Sequence, residues 1–88
     1  MTVLEFIRHK ALGHLTVQEL KRLWNQLIHI RSDRVGMGHF REACSFGLRH
    51  LGDDPGDIFR FCTDDAYALE AAHEALLAVG KELDLRHA

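Results

Sequence analysis

Apolar residues recur at every third or fourth position along most of this chain, which is the spacing of one face of an α-helix. Two of these runs open with a threonine and have a glutamate three residues later. These pairs, Thr2 with Glu5 and Thr16 with Glu19, fit the pattern of a capping box. Gly13 follows the first run, at a position where glycine typically ends a helix. The pattern predicts five helices, over residues 3–12, 17–31, 39–51, 55–62 and 64–84.

Strand-like alternation is nearly absent, so the predicted fold is all-α: a compact single-domain bundle of four to five short-to-medium helices over residues 1–88. The second helix has an apolar stripe too broad for a surface helix and is the predicted centre of the bundle. Gly52 is the predicted stop of the third helix, Asp54 the N-cap of the fourth and Thr63 that of the fifth. The fifth helix is expected to bury Ala68, Ala72, Ala75, Leu76, Val79 and Leu83.

The composition is that of an ordinary globular protein, with 47% hydrophobic and 27% charged residues. No apolar run is long enough for a signal peptide or a membrane span, so a cytosolic protein without a membrane segment is expected. The two cysteines, Cys44 and Cys62, are too few for a disulfide scaffold and are expected to be reduced core residues.

No motif of an enzyme is found: the chain lacks a nucleophile elbow, a phosphate-binding glycine loop and a serine–histidine–acid arrangement. The seven histidines and two cysteines include few of the closely spaced pairs that a tetrahedral zinc site uses. His9 and His14 have such a spacing, but Gly13 is expected to end the helix between them. The sequence therefore predicts a non-enzymatic protein with no metal and no cofactor.

Charge is distributed unevenly along the chain. Residues 1–34 carry six basic and three acidic side chains, whereas residues 53–88 carry three basic and nine acidic ones. A molecule polarised in this way attracts a partner with a matching field, or a second copy of itself, basic end to acidic end.

The sequence favours a small protein-binding module, an adaptor, inhibitor or immunity- or antagonist-type protein that docks on a larger macromolecule. Aspartates surround Phe59 and Phe61, and aromatic anchors within an acidic rim suit a basic or amphipathic partner surface. The loop before the third helix is the longest irregular segment and is the second candidate. The predicted partner-binding residues are Arg34, Met37, Asp57 and Phe59. The alternative interpretation of the aromatic pair is that it closes the core.

The alternative function is nucleic-acid binding by the basic half. The first two helices and their short connection resemble a helix-turn-helix in spacing. In that interpretation the second helix enters the major groove, and its polar strip contacts bases and phosphates. The acidic overall balance of the chain, with a net charge of −2, argues against it. The residues predicted for this role are Gln18, Lys21, Arg22, Asn25 and His29.

Overall fold

The computed structural model describes residues 1–50 and 54–86, with the backbone alone at residue 50. The fold is an all-α single-domain bundle, as the sequence predicts, and the described ranges contain no strand. Its helices are α1 (Val3–His9), α2 (Val17–Asp33), α3 (Met37–His50), α4 (Pro55–Thr63) and α5 (Asp65–Leu85).

Local capping chemistry defines three of the helix starts. Thr2 and Thr16 form the two predicted capping boxes, each accepting a hydrogen bond from the backbone N–H of the glutamate three residues later. Asp54 caps α4 by accepting from the N–H of Asp57 at 3.2 Å, and Pro55 occupies the first turn. These predictions are confirmed because a cap depends only on neighbouring residues.

Other boundaries differ from the predicted ones. Helix α1 ends at His9, three residues early, since Lys10 adopts an extended conformation. Helix α2 continues to Asp33 and ends at Arg34, whose φ of 60° is left-handed. The turn closes at Gly36, with φ 83°, so α3 begins two residues earlier than predicted. The predicted end of the third helix, at residues 51 and 52, lies outside the described residues.

The start of α5 corrects one prediction. Asp64, not Thr63, is the N-cap, because its carboxylate accepts hydrogen bonds from the N–H groups of Ala66 and Tyr67. The Thr63 hydroxyl instead donates to the carbonyl of Phe59 at 2.8 Å, within α4. Thr63 and Asp64 are both residue types that can cap a helix, and Asp64 is the one with an extended backbone between α4 and α5.

Helix α5, rather than the predicted α2, is the centre of the bundle. It packs on α1, α2 and α4, whereas α2 packs chiefly on α5. The broad stripe of α2 is only partly covered, so that Ile28 is exposed and Trp24 is half-buried. Of the predicted line on α5, Ala75 and Leu83 are half-buried, and two residues outside that line are also buried. The fully covered face of α5 consists of Tyr67, Ala68, Ala71, Ala72, Leu76 and Val79.

Helix α3 packs chiefly on α1 and α4. Gly47 permits its close approach to α1, because a Cβ atom at this position would lie 2.6 Å from Cζ of Phe6. Arg41 ties α3 to α4, its Nε donating to the carbonyl of Phe61 at 3.0 Å. Because α2 packs chiefly on α5, and α3 on α1 and α4, space remains between α2 and α3.

The two cysteines are free thiols in different environments. Cys44 is buried, as predicted, and burial raises the pKa of its thiol to about 12. Cys62 is exposed, contrary to its predicted place in the core. Its helix, α4, turns Ile58 and Phe61 inward, which places residue 62 towards solvent.

Candidate functional site

An apolar groove with a volume of about 500 Å³ opens between α2 and α3. Ligand-binding pockets have volumes of a few hundred to about 1,000 Å³, and the volume of this groove lies within that range. The groove is lined by Phe6, Ile7, Lys10, Leu12, His14, Leu15, Leu23, Leu27, Phe40, Ala43, Cys44, Phe46, Gly47, Ala75, Ala78 and Val79.

The floor and the rim of the apolar groove differ in exposure. Phe6, Leu27 and Val79 are buried and form the floor. Phe46 stands on the rim with 65% of its surface exposed, and Ala43 is exposed as well. Buried apolar surface is therefore continuous with exposed apolar surface, which is typical of a binding site.

Small side chains make the space. On α3, Ala43 and Gly47 stand one turn apart, and on α5, Ala75 and Ala78 share one face. None of these small side chains fills the space between α2 and α3. The sequence predicts Ala75 as part of the buried line of α5, not as the border of a groove.

The α1–α2 connection forms one wall of the apolar groove and is held from the far end of the chain. The guanidinium of Arg86 donates to the carbonyls of Leu12 and Gly13, both at 3.1 Å, and to the carbonyl of Leu15. Its Nε donates to Glu82 at 3.0 Å. This contact satisfies carbonyls that no helix satisfies and fixes the position of Leu12 and Leu15 at the groove.

Two of the predicted partner-binding residues lie near the turn between α2 and α3. Arg34 is exposed, and its Nη1 lies 3.1 Å from Asp65. Hydrogen bonding from Arg41, with a smaller contribution from Arg34, lowers the pKa of the Asp65 carboxyl. Met37 is only 8% exposed, so its side chain belongs to the core rather than to the surface that a partner contact requires. The left-handed turn before α3 directs Met37 into the core and leaves Val35 exposed.

The side chain of Asp57 forms hydrogen bonds within the protein. Its carboxylate accepts a hydrogen bond from the N–H of Val3 at 2.7 Å and from the hydroxyl of Tyr67 at 2.6 Å. Burial, and then this hydrogen bond, raise the pKa of Tyr67 above its usual range. The carboxylate predicted to meet a partner thus joins the start of α1 to α4 and α5.

Phe59 is 69% exposed, so the alternative interpretation that it closes the core is wrong for this residue. That interpretation is right for Phe61, which is fully buried and packs edge-on against Phe40 and Tyr67 at 5.8 and 6.0 Å between ring centroids. The aspartates near Phe59 are mostly engaged within the protein. Asp54 and Asp64 cap helices, and Asp57 and Asp65 bind other helices.

All five residues predicted for nucleic-acid binding are exposed on one face of α2. His29 lies 3.8 Å from Asp33, and Lys21 and Asn25 border a depression of about 350 Å³ next to Trp24 and Asp84. Helix α1 packs on α3, α4 and α5, so α1 and α2 do not form the packed pair of a helix-turn-helix. The remaining members of the strip are Gln18 and Arg22.

The part of the chain that the structure describes contains no candidate metal site and no candidate membrane-spanning helix. No three histidine, cysteine or acidic side chains among residues 1–50 and 54–86 could together hold a metal ion. Within the same ranges no helix is both long enough and apolar enough to cross a bilayer. The expected absence of a metal stays a prediction.

Fold and site together define a class of protein, an all-α single-domain bundle with an apolar groove open to solvent. Compared with protein-family models, curated proteins and solved structures, the chain matches none of them.

Proposed function

We propose that this chain is a non-enzymatic protein-binding module whose apolar groove receives the apolar face of an amphipathic helix from a partner protein. The observation that carries the proposal is the groove itself, about 500 Å³ in volume, with a buried apolar floor and an exposed aromatic rim. Helix-in-groove recognition uses such a site for apolar residues spaced three or four apart. The module then acts as an adaptor, an inhibitor or an immunity- or antagonist-type protein.

The chemistry of the lining favours a helix over a small polar ligand. Small-molecule sites hold a few convergent polar groups that orient the ligand, whereas the polar side chains here are Lys10 and His14 on the rim. A helix satisfies its own backbone hydrogen bonds, so its apolar face enters such a groove without leaving polar groups unpaired.

The same lining argues against catalysis. The thiol at the groove, Cys44, is held protonated at neutral pH because burial raises its pKa to about 12. A protonated thiol is a poor nucleophile, and among residues 1–50 and 54–86 the groove lining offers no carboxylate to activate it. The two free thiols suit a reducing compartment, and we propose the cytosol as the site of action.

The test is a titration of the ¹⁵N-labelled protein with a designed amphipathic helix of roughly 18 residues, long enough to be helical when bound, with leucines three and four apart and a neutral polar face. We expect the largest amide shifts at groove residues such as Lys10, Cys44 and Ala78. Absence of shifts, or shifts confined to Phe59 and its neighbours, would contradict the proposal.

A second candidate function is nucleic-acid binding by the exposed strip of α2. The observation that favours it is the placement of Gln18, Lys21, Arg22, Asn25 and His29 on one solvent-facing side of a single helix. Such a strip contacts phosphates and base edges when it lies in a groove of the duplex. In this proposal α2 acts as a single helix, without α1 as its packing partner.

This candidate predicts binding to random-sequence duplex DNA, measured by fluorescence polarisation, that weakens by orders of magnitude between about 50 and 200 mM salt. Replacing Lys21 and Arg22 together by alanine is expected to weaken binding and to flatten the salt dependence. The control removes two positive charges elsewhere, at Arg49 and Lys81, which are exposed and lie outside the strip. An equal effect of both double variants would indicate a general charge effect and contradict a site on α2.

A further inference from the structure

Lys10 places a positive charge at the apolar groove. The side chain follows α1 directly, and its ammonium lies 5.2 Å from the centroid of the Phe6 ring. Phe6 belongs to the groove floor, so the charge is held beside the apolar surface by a cation–π contact. Within residues 1–50 and 54–86 no carboxylate forms an ion pair with Lys10.

The neighbouring basic groups are used differently. Arg8 forms an ion pair with Glu74 at 3.2 Å, and Arg86 forms one with Glu82 at 3.0 Å. His14, the other basic residue of the lining, lies near Glu19. The pKa of Glu19 is lowered mainly by hydrogen bonds from Thr16 and to a smaller extent by His14. Lys10 is therefore the fixed positive charge that the described fold leaves available at the groove, and none of the described lining residues is a carboxylate.

We propose that the helix bound by the groove is acidic: it carries a carboxylate beside its apolar face that pairs with Lys10. This inference rests on the proposed function and specifies the chemistry of the partner. An apolar helix that covered the groove would remove water from the ammonium of Lys10, which is unfavourable unless an opposite charge replaces that water. A basic helix would add repulsion to this loss of hydration.

The test compares two labelled peptides with the same leucine face, one with glutamates and the other with lysines flanking that face. Their affinities for the full chain are measured by fluorescence anisotropy at low salt. We expect the acidic peptide to bind about tenfold more tightly, and we expect the ratio to shrink as salt screens the charges. In Lys10→Glu the preference should disappear or reverse, and in Lys10→Gln it should fall.

Lys81→Glu is the matched control, because Lys81 is an exposed lysine on α5 outside the groove lining and the change in net charge is the same. It should preserve the preference for the acidic peptide. Equal binding of both peptides to the unmodified chain would overturn the acidic partner while leaving the groove as a helix site. If Lys10→Glu and Lys81→Glu lost the preference for the acidic peptide to the same extent, the role of Lys10 would be overturned. Failure of both peptides to bind would overturn the proposed function as well.

Discussion

Replacement of Asp57 by alanine is expected to lower the free energy of unfolding by about 3 kcal/mol, the largest stability effect that we predict. The carboxylate accepts two hydrogen bonds, from the buried backbone N–H of Val3 and from the buried hydroxyl of Tyr67. Val3 opens α1, so its N–H has no acceptor within its own helix. Alanine would leave both donors without a partner in the interior, which is more costly than the loss of an exposed contact.

The matched control is Asp54→Ala, three residues earlier on the chain. This change removes the N-cap of α4 and leaves the contacts of Asp57 with Val3 and Tyr67 in place, so a loss of about 1 kcal/mol is expected. Urea unfolding followed by circular dichroism measures both variants. If Asp57→Ala were no more destabilising than Asp54→Ala, the carboxylate would not be what joins the three helices.

The parts of the fold that the sequence predicted correctly are those determined by neighbouring residues. The capping boxes at Thr2 and Thr16, the start of α4 at Pro55 and the helical class all follow from short patterns. The end of α1 was predicted too late, and there distant residues contact the chain. Helix α1 ends at His9, and the segment after it is bound by Arg86, which lies more than 70 positions away in sequence.

Among the predicted partner-binding residues, the burial of Met37 was missed for a related reason. Met37 follows a turn whose direction depends on the left-handed backbone of Arg34, and the sequence does not reveal whether that turn leads inward. In α4, a helix of nine residues, periodicity alone did not decide between Phe59 and Phe61. Tertiary packing buries Phe61 between two other rings and leaves Phe59 exposed.

The apolar groove was not predicted at all. Its lining residues, among them Leu27, Cys44 and Val79, are ordinary members of a helical apolar pattern. The space arises because α2 packs chiefly on α5, whereas α3 packs on α1 and α4. The available sequence signal was the run of small residues on α3 and α5, which is equally compatible with close helix packing.

The second large effect concerns binding. Ala78→Phe should weaken binding of the neutral amphipathic peptide by about ten- to a hundredfold. Ala78 is a half-buried residue of the groove lining on α5, and a phenylalanine ring there would occupy the space of one apolar anchor. Burial of one such anchor contributes about 1.5–3 kcal/mol, and every 1.4 kcal/mol corresponds to tenfold in affinity. The fold should tolerate the ring, since it enters space that is already present.

We propose to measure the dissociation constant of the neutral amphipathic peptide for Ala78→Phe and for Ala66→Phe. This comparison shows whether the peptide binds in the apolar groove. Ala66 lies on the same helix, is exposed and does not line the groove. Ala43→Phe fills the groove from α3 and should behave like Ala78→Phe. We expect the two groove variants to lose at least about tenfold in affinity and Ala66→Phe to match the unmodified chain. Equal affinity of all four proteins would place the peptide elsewhere and contradict the account.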